Sequence, residues 1–398
     1  MISTRTVLHC DCNGFYASVE CVRNPELKKV PMAVAGDPDS RHGIILAKNE
    51  LAKKYNIQTA ETIWKAKQKC PDLVLVRPHH DEYKKFSVTV NDIYKRYTDL
   101  VEPFGIDESW LDVTGSQKLF GDGVTIADNL RNIVRTETGL TISVGVSFNK
   151  VFAKLGSDLK KPDATTVISK SNYKQLIYPL PVNTLLYVGN STFHTLNSLN
   201  IKTIGDLANT DRNVLIKVLG KAGDMLYLYA NGLDNDPVKS IYEKNEVKSV
   251  GKGLTFSENI TGYENIKKEV FALSSNVAMR LRTEKLKCRT VQVVIRDPNF
   301  NSISRQMPVD YPTDLSREIT SYAMELIEKS WGYNKPIRMI TVTGTNLIDK
   351  DDVTEQIMLF DDGHSEKRKK QEQLENTLDD IKRKYGKNIF RFENKKDK

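Results

Sequence analysis

Three acidic residues stand at the end of, or within, short apolar segments of the sequence. Asp11 ends a largely apolar run that begins at Val7, and Asp107 and Glu108 are neighbours within a second apolar segment, residues 104–113. Burial disfavours the charge of an unpaired carboxylate, so divalent cations best explain such a set of acids at strand ends. Carboxylate oxygens suit Mg²⁺ or Mn²⁺, and two such ions can assist both oxygens of a phosphoryl transfer. Any one acid alone is more simply a turn residue or an ion-pair partner, so this hypothesis rests on the whole set.

The elements that must position these acids follow an α/β or α+β pattern. Between residues 6 and 168 short β-rich runs alternate with helical stretches, and between residues 171 and 236 short helices with glycine-punctuated turns replace them. After a polar connection, strands and helices alternate again from residue 250 to residue 347. Beyond residue 348 the chain becomes polar, and we expect a mobile tail there.

Composition limits the class of protein. The 398 residues are 39% apolar and 28% charged, which predicts roughly two to four folded domains. Basic residues exceed acidic ones by 59 to 51, a modest sign of a polyanionic partner. The five cysteines form no CxxC pair, which argues against a zinc site and a disulfide framework. We find no signal peptide and no membrane-length apolar stretch, and we expect a cytoplasmic protein without membrane association.

Three motifs resemble those of the Y-family (DinB/UmuC-type) translesion DNA polymerases. Residues 11–20 (DCNGFYASVE) resemble the opening motif of that family, and residues 106–113 (IDESWLDV) resemble its second motif. Residues 145–154 (GVSFNKVFAK), together with Lys161 and the proline after it, resemble the third. The motifs occur in family order and at family-like spacing, and the resemblance extends to about residue 347.

The resemblance implies an α+β fold of the right-hand polymerase type, with a palm, small fingers, a helical thumb and an α/β little-finger domain. We expect the palm at residues 1–14 and 80–170, the fingers at 15–79, a helix-hairpin-helix-like thumb at 171–236, a linker at 237–247, the little finger at 248–347, and a tail with a clamp-binding peptide at 348–398.

The same resemblance implies template-directed addition of deoxynucleotides to primer-template DNA, with low fidelity and bypass of damaged bases. By it, Asp11 and Asp107 bind two Mg²⁺ ions (Mn²⁺ being possible), Glu108 completes the site for the primer 3′-hydroxyl, and the backbone carbonyl of Cys12 adds an oxygen ligand. The intact acids argue against one rival interpretation, a DNA-binding scaffold that has lost activity. A second rival remains open: a catalytic subunit that needs accessory proteins, as in the UmuC branch.

Further residues match the family's nucleotide pocket. Tyr16 stands at the position of the steric gate that rejects ribonucleotides, and Phe15 is its stacking neighbour, although both could instead be core aromatic residues. Lys53, where relatives usually have arginine, and Lys161 match cations for the triphosphate; a lysine gives a point charge instead of a bidentate fork. Glu50 departs from the aromatic or hydroxyl residue of relatives, and would either pair with Lys48 or Lys53 or act directly.

We expect the protein to be a monomer. Its remaining expected contacts are with DNA and with the sliding clamp (β subunit). Gly189 belongs to a hairpin that would present backbone N–H groups to a phosphate. Tyr187 replaces the usual second glycine, so the hairpin is degenerate and packing is the alternative role. The basic cluster of Arg282 and Arg289, with Arg296, is either a DNA-binding face or a solvated basic face. The apolar end of a tail peptide resembles a clamp-docking motif, with Gln356, Leu359 and Phe360 as its anchors. After it, an amphipathic stripe predicts a small helix that packs on the body or on a partner.

Overall fold

The computed structural model of the chain describes residues 5–37, 43–243, 246–352 and 364–386, without the side chains of residues 364–367, 369 and 382. The chain divides into two compact units, Met1–Lys244 and Asn245–Lys398, so the boundary lies inside the expected linker. The finer division of the first unit into palm, fingers and thumb stays a prediction. None of the described helices is both long enough and apolar enough to cross a membrane.

The first unit contains two sheets and a group of short helices. Its elements in chain order are β1 (Val7–Cys12), α1 (Phe15–Arg23), β2 (Met32–Ala35), β3 (Ile45–Lys48), α2 (Glu50–Lys53), α3 (Ile63–Lys69), β4 (Val74–Val76), α4 (His80–Tyr94), β5 (Val101–Pro103), β6 (Glu108–Asp112), α5 (Gln117–Phe120), α6 (Gly123–Thr138), β7 (Ile142–Ser147), α7 (Lys150–Leu159), β8 (Thr165–Ile168), α8 (Tyr173–Ile177), α9 (Asn190–Ser198), α10 (Ile204–Asn209), α11 (Arg212–Leu219) and α12 (Lys221–Ala230).

The larger sheet has the strand order β5-β6-β1-β7-β8, and β1 pairs antiparallel with both of its neighbours. Side chains alternate between the faces of a strand, so Leu8, Cys10 and Cys12 enter a core shared with α4 and α6, whereas His9 and Asp11 point to the opposite face. The register places Asp11 directly opposite Glu108. Two acids that are far apart in sequence are thereby brought to one end of the sheet.

Helix α7 packs very closely on the face that carries His9 and Asp11. A Cβ atom at Gly145 would lie 1.9 Å from the carbonyl oxygen of Ala153, so only glycine at this position of β7 allows the approach. The Asn149 side chain begins the helix by accepting a hydrogen bond from the backbone N–H of Phe152. Because of this packing, Lys154 on α7 and Lys161 just after it reach the acids on β6 and β1.

The rest of the first unit consists of a small sheet and a helical group. The small sheet has the order β3-β2-β4, with β2 and β4 parallel. Helices α8 to α12 share a core with α7. Tyr187 in this group has a φ of 68°, a left-handed conformation that favours glycine, which explains physically why a glycine is usual at this place.

The second unit is an antiparallel sheet with helices. Its elements are β9 (Ser249–Ile260), α13 (Tyr263–Thr283), β10 (Leu286–Arg296), β11 (Ser302–Thr313), α14 (Ser316–Ser330), β12 (Ile337–Asp349) and α15 (His364–Tyr385). The strand order is β11-β10-β12-β9, and one core joins the sheet to α13 and α14.

The C-terminal part departs from one expectation. We predicted a mobile tail from residue 348, but α15 is a helix that packs on the second unit, and its residue Glu375 is only 6% exposed. Two members of the amphipathic stripe, Leu374 and Tyr385, are 49% and 60% exposed, so packing on the body and packing on a partner both stay open for the stripe. The mixed sheets and helices of both units confirm the expected α+β class.

Candidate active site

The three predicted acids lie together at one end of the larger sheet. Asp11 is on β1, Asp107 immediately precedes β6, and Glu108 is the first residue of β6. The backbone N–H of Cys12 donates a hydrogen bond of 2.9 Å to the carbonyl oxygen of Asp107, which joins the two strand ends. Asp11 and Asp107 face a cleft of about 390 Å³, whose lining residues are Asp11, Cys12, Gly14, Phe15, Tyr16, Leu46, Ala47, Lys48, Lys53, Thr59, Ile106, Asp107 and Lys161.

The charges of the acids are unequally compensated. Burial, and then the nearby carboxylates of Asp11 and Glu108, raise the pKa of Asp107 to about 6. Burial also raises the pKa of Asp11, although Lys161 opposes that effect. Burial acts in the same direction on Glu108, but its neighbours His9 and Lys154 prevail and lower its pKa to about 2. Asp107 therefore carries the least compensated negative charge of the three.

Two lysines hold the other acids. Lys161 Nζ lies 2.9 Å from a carboxylate oxygen of Asp11 and 2.9 Å from one of Asp158. Lys154 forms a short ion pair with Glu108. Among the described residues, no three His, Cys, Asp or Glu side chains converge closely enough to hold a metal ion in this arrangement. The set nevertheless fits a divalent cation, because it consists of carboxylate oxygens whose repulsion leaves the pKa of Asp107 raised.

A buried polar chain under Glu108 was not predicted from the sequence. The hydroxyl oxygen of Ser157 lies 2.8 Å from His9 Nδ1 and 2.8 Å from the carbonyl oxygen of Lys154. The other ring nitrogen of His9, which is fully buried, lies 3.4 Å from a carboxylate oxygen of Glu108. In the sequence, the alternation of side chains along β1 already indicated that His9 and Asp11 share a face. The contact of His9 with Ser157 could not be predicted, because it depends on the packing of α7 on the sheet.

The aromatic residues of the first motif form a stack at the cleft. The ring of Tyr16 lies parallel to that of Tyr83, with centroids 4.2 Å apart, and edge-on to His80 at 5.9 Å. The hydroxyl of Tyr83 donates a hydrogen bond of 2.5 Å to the buried Glu20, which fixes the stack. Phe15 is 3% exposed and packs on the ring of Tyr83, as a core aromatic residue does, but it also lines the cleft, so its place in the nucleotide pocket stays a prediction.

The position of Glu50 resolves one open alternative. Glu50 lies 2.6 Å from Lys53, one helical turn away, whereas Lys48 Nζ donates a hydrogen bond of 3.2 Å to the hydroxyl oxygen of Thr59. Lys53 and Glu50 therefore neutralise each other at the edge of the cleft, and 41% of the lysine side chain is exposed.

The predicted DNA contacts are distributed over both units. Gly189 is the exposed residue before α9, and nothing lies within 4 Å of a Cβ atom built on it. In the second unit Arg289 is exposed on β10, and Arg296 at the end of the same strand donates a hydrogen bond of 2.9 Å to Ser302. These three assignments stay predictions.

The structure argues against a DNA contact at Arg282. Its side chain is 7% exposed and lies 2.6 Å from Glu375 and 2.7 Å from Asp379, both on α15. The same Glu375 accepts hydrogen bonds from the backbone N–H of Ser316 at 3.1 Å and from its hydroxyl at 2.7 Å, and so caps the start of α14. Burial and these carboxylates leave Arg282 no face for a phosphate, and we correct its assignment to a structural role. The sequence signal was ambiguous because the partners lie 93 and 97 residues further along the chain.

Replacing Arg282 by alanine should lower the free energy of unfolding of the second unit by about 3 kcal/mol, because two buried carboxylates would lose their cation. DNA affinity and its salt dependence should stay unchanged in this variant while the unit is folded. Replacing Arg289 by alanine is the matched control, with the opposite expectation: unchanged unfolding in urea and weaker, less salt-dependent DNA binding. An Arg282→Ala protein of normal stability with weakened DNA binding would restore the original assignment.

The predicted clamp-docking residues Gln356, Leu359 and Phe360 lie outside the described residues, and their assignment stays a prediction.

Comparisons with known proteins relate this geometry to a family. The family model described as "impB/mucB/samB family" matches residues 10–158, its C-terminal domain matches residues 247–359, and the thumb domain described as "DNA polymerase-iota" matches residues 185–234. DNA polymerase IV of Acetivibrio thermocellus is 48% identical over 382 residues, which are 96% of this chain and 95% of that relative. DNA polymerase IV of Clostridium kluyveri is 38% identical over 393 residues, 97% of both chains.

A solved structure supports the fold. A Y-family DNA polymerase chimera superposes with a TM-score of 0.77 at 24% identity, covering 86% of this chain and 99% of that one. The right-hand fold expected from the motifs is thus confirmed. With family models over most of its length and close relatives that it covers almost completely, this chain belongs to the Y family of DNA polymerases.

Proposed function

We propose that this DNA-directed DNA polymerase performs low-fidelity translesion synthesis by two-metal nucleotidyl transfer. Its substrates in this proposal are primer-template DNA and deoxynucleoside triphosphates. The observation that carries the proposal is the meeting of Asp11, Asp107 and Glu108 at one sheet end, beside a cleft that also holds Lys161 and Tyr16. Family membership supports the reaction type, and the protein in this proposal acts as a cytoplasmic monomer.

Each side chain of the cleft has a distinct task in the proposed reaction. The primer 3′-hydroxyl attacks the α-phosphate of the incoming nucleotide in line, and pyrophosphate leaves. Glu108, whose pKa is lowered to about 2, stays ionised and is able to accept a hydrogen bond from that hydroxyl. Lys161, which lies 2.9 Å from Asp11, places a positive charge where the triphosphate would enter. Tyr16, which lines the cleft, would lie against the sugar of that nucleotide.

The acids would also hold the metal cofactor. Asp11, Asp107, Glu108 and the backbone carbonyl of Cys12 would supply oxygen ligands to Mg²⁺, with Mn²⁺ as a possible substitute. When bound, the two ions would supply Lewis-acid chemistry to the attacking and leaving oxygens. Lys154 and Lys161 then serve to orient and partly neutralise the carboxylates around that site.

Primer extension by the purified chain alone tests this function. With Mg²⁺, all four deoxynucleotides and a template containing one abasic site, we expect synthesis up to the lesion and past it. The Asp107→Ala protein, which should bind the same DNA, is the control for contaminating polymerase. Tight binding of primer-template without any extension would favour the rival in which accessory proteins are required. Extension that always stops at the lesion would contradict translesion synthesis.

We also propose recruitment by the sliding clamp. The support is the sequence alone: a glutamine followed at short spacing by a leucine and a phenylalanine, in a polar segment after the second unit's sheet. Tethering to the clamp would raise the local concentration of the polymerase at the primer end.

Replacing both Leu359 and Phe360 by alanine should reduce affinity for the β clamp about 100-fold, since anchor residues dominate such contacts. Extension of short primers without the clamp should not change. Fluorescence anisotropy with a labelled clamp measures the affinity, and Leu374→Ala, an exposed apolar residue on α15, is the matched control. Equal clamp affinity in the double variant and in the original protein would refute the docking site.

A further inference from the structure

Lys48 is a further cation of the cleft that holds Asp11 and Asp107, and its sequence position predicts no role beyond a pair with Glu50. It is the last residue of β3, and its side chain is partly buried. It lines the cleft together with Asp11, Asp107 and Lys161. Its ammonium group donates a hydrogen bond of 3.2 Å to the hydroxyl oxygen of Thr59, another residue that lines this cleft.

The other two lysines of the cleft already have carboxylate partners. Lys161 lies 2.9 Å from Asp11 and from Asp158, and Lys53 lies 2.6 Å from Glu50. In the portions of the chain that the structure describes, none of the ion pairs involves Lys48. Among the lysines of the cleft, Lys48 therefore differs from Lys53 and Lys161, because no carboxylate of the described residues contacts its ammonium group.

The surroundings of Lys48 disfavour its charge. Burial, and then the nearby Lys53, lower the pKa of Lys48, while Glu61 and Glu50 oppose that effect from a distance. An anion that enters the cleft would remove this penalty. A triphosphate is such an anion, and the hydrogen bond to Thr59 uses one of the three donors of the ammonium group, so two remain.

We propose that Lys48 is a nucleotide-binding residue that contacts the phosphates of the incoming nucleoside triphosphate. The proposal rests on the proposed polymerase function and extends it. Thr59 holds the ammonium group over the cleft, and Lys48 supplies the positive charge that Glu50 withdraws from Lys53. The departure of this chain at Glu50 is thereby offset by a lysine on the adjacent strand.

Steady-state incorporation of a single nucleotide tests the proposal. Lys48→Ala should raise KM for the nucleotide about 10-fold, equally for all four bases, with kcat changed less than about twofold, because a phosphate contact contributes to binding and not to base choice. Lys48→Arg should restore KM to within about threefold, since it keeps the charge. Glu50→Gln, which frees Lys53, should lower KM in the Lys48→Ala background. Lys67→Ala, an exposed lysine on α3, is the matched control and should have no effect.

Two binding measurements separate this proposal from its alternatives. Calorimetric titration of a deoxynucleoside triphosphate into the protein needs no catalysis. It therefore tests the role of Lys48 even if primer extension shows that the proposed polymerase function is wrong. Weaker nucleotide binding by Lys48→Ala, with unchanged affinity for primer-template DNA, is the expected result. Unchanged nucleotide affinity would overturn the proposal. Loss of primer-template affinity alone would also overturn it, because it would assign Lys48 to a DNA phosphate.

Discussion

Replacing Asp107 by asparagine should abolish nucleotide incorporation and at the same time stabilise the fold. Asp107 is the acid whose pKa is raised to about 6, by burial and by the carboxylates of Asp11 and Glu108. A divalent cation requires the charged form of Asp107. The folded protein disfavours that charged form when no cation is bound. Asparagine keeps the size of the side chain and removes the charge, so incorporation should fall by at least about 1,000-fold.

The direction of the stability effect follows from linkage. The pKa of Asp107 in the folded protein lies above its ordinary value of 3.8, so the folded state binds the proton more tightly than the unfolded chain does. Stability from this group is fully present below about pH 4 and is lost as pH rises through about 6. At pH 8 without divalent ions, Asp107→Asn should therefore gain on the order of 2 kcal/mol, and the gain should vanish near pH 4. Urea unfolding at the two pH values measures this difference.

A metal readout separates the charge effect from a packing effect. Mg²⁺ should raise the unfolding temperature of the original protein, because it binds the folded state and removes the repulsion, and it should raise that of Asp107→Asn much less. Asp112→Asn is the matched control: Asp112 is the last residue of β6, the strand that Asp107 precedes, and it pairs with Arg5 at 3.3 Å, so the loss of its charge should destabilise the protein and leave incorporation intact. An Asp107→Asn protein that is active, or that is less stable than the original at pH 8, would contradict the assignment of this residue.

The sequence predicted that the three acids would lie together, but not which residues hold them in place. Asp11 and Glu108 were found through their motifs, and the antiparallel register of β1 and β6 accounts for their meeting. Lys154 and Ser157 were missed as partners of Glu108 and His9 because both contacts depend on the close packing of α7 on β7, which requires a glycine at position 145. Local sequence spacing carries no signal for a contact of this kind.

Ion pairs between residues close in sequence could be predicted, whereas ion pairs between residues far apart in sequence could not. The pairing of Glu50 with Lys53 follows from one turn of helix and could be anticipated as one of two alternatives. Arg282 sits in a basic cluster whose local composition indicates a nucleic-acid face, but its carboxylate partners belong to α15. A basic cluster therefore predicts a DNA-binding face only for those members, such as Arg289, that the fold leaves exposed.

Replacing Tyr16 by alanine should let the enzyme accept ribonucleotides. The ring of Tyr16 lines the same cleft as Asp107, and its stack on Tyr83 would prevent it from moving aside for a 2′-hydroxyl. Tyr83 is itself fully buried and bonded to Glu20 at 2.5 Å, so the barrier is rigid. Without the ring, the ratio of kcat/KM for deoxynucleotide over ribonucleotide should fall by roughly 100-fold or more, because the steric clash that enforces it is gone.

The matched control keeps the ring and removes only the hydroxyl group. Tyr16→Phe should retain the discrimination against ribonucleotides, since a steric gate depends on the ring, and its stack on Tyr83 needs no hydroxyl. Single-nucleotide incorporation with paired ribo- and deoxynucleotides measures both variants on one template. If Tyr16→Ala kept the sugar preference of the original protein, the ring would be a core aromatic residue and not the gate. If Tyr16→Phe lost that preference, a hydrogen bond from the hydroxyl group would be the source of discrimination, and the rigidity of the stack would be irrelevant to it.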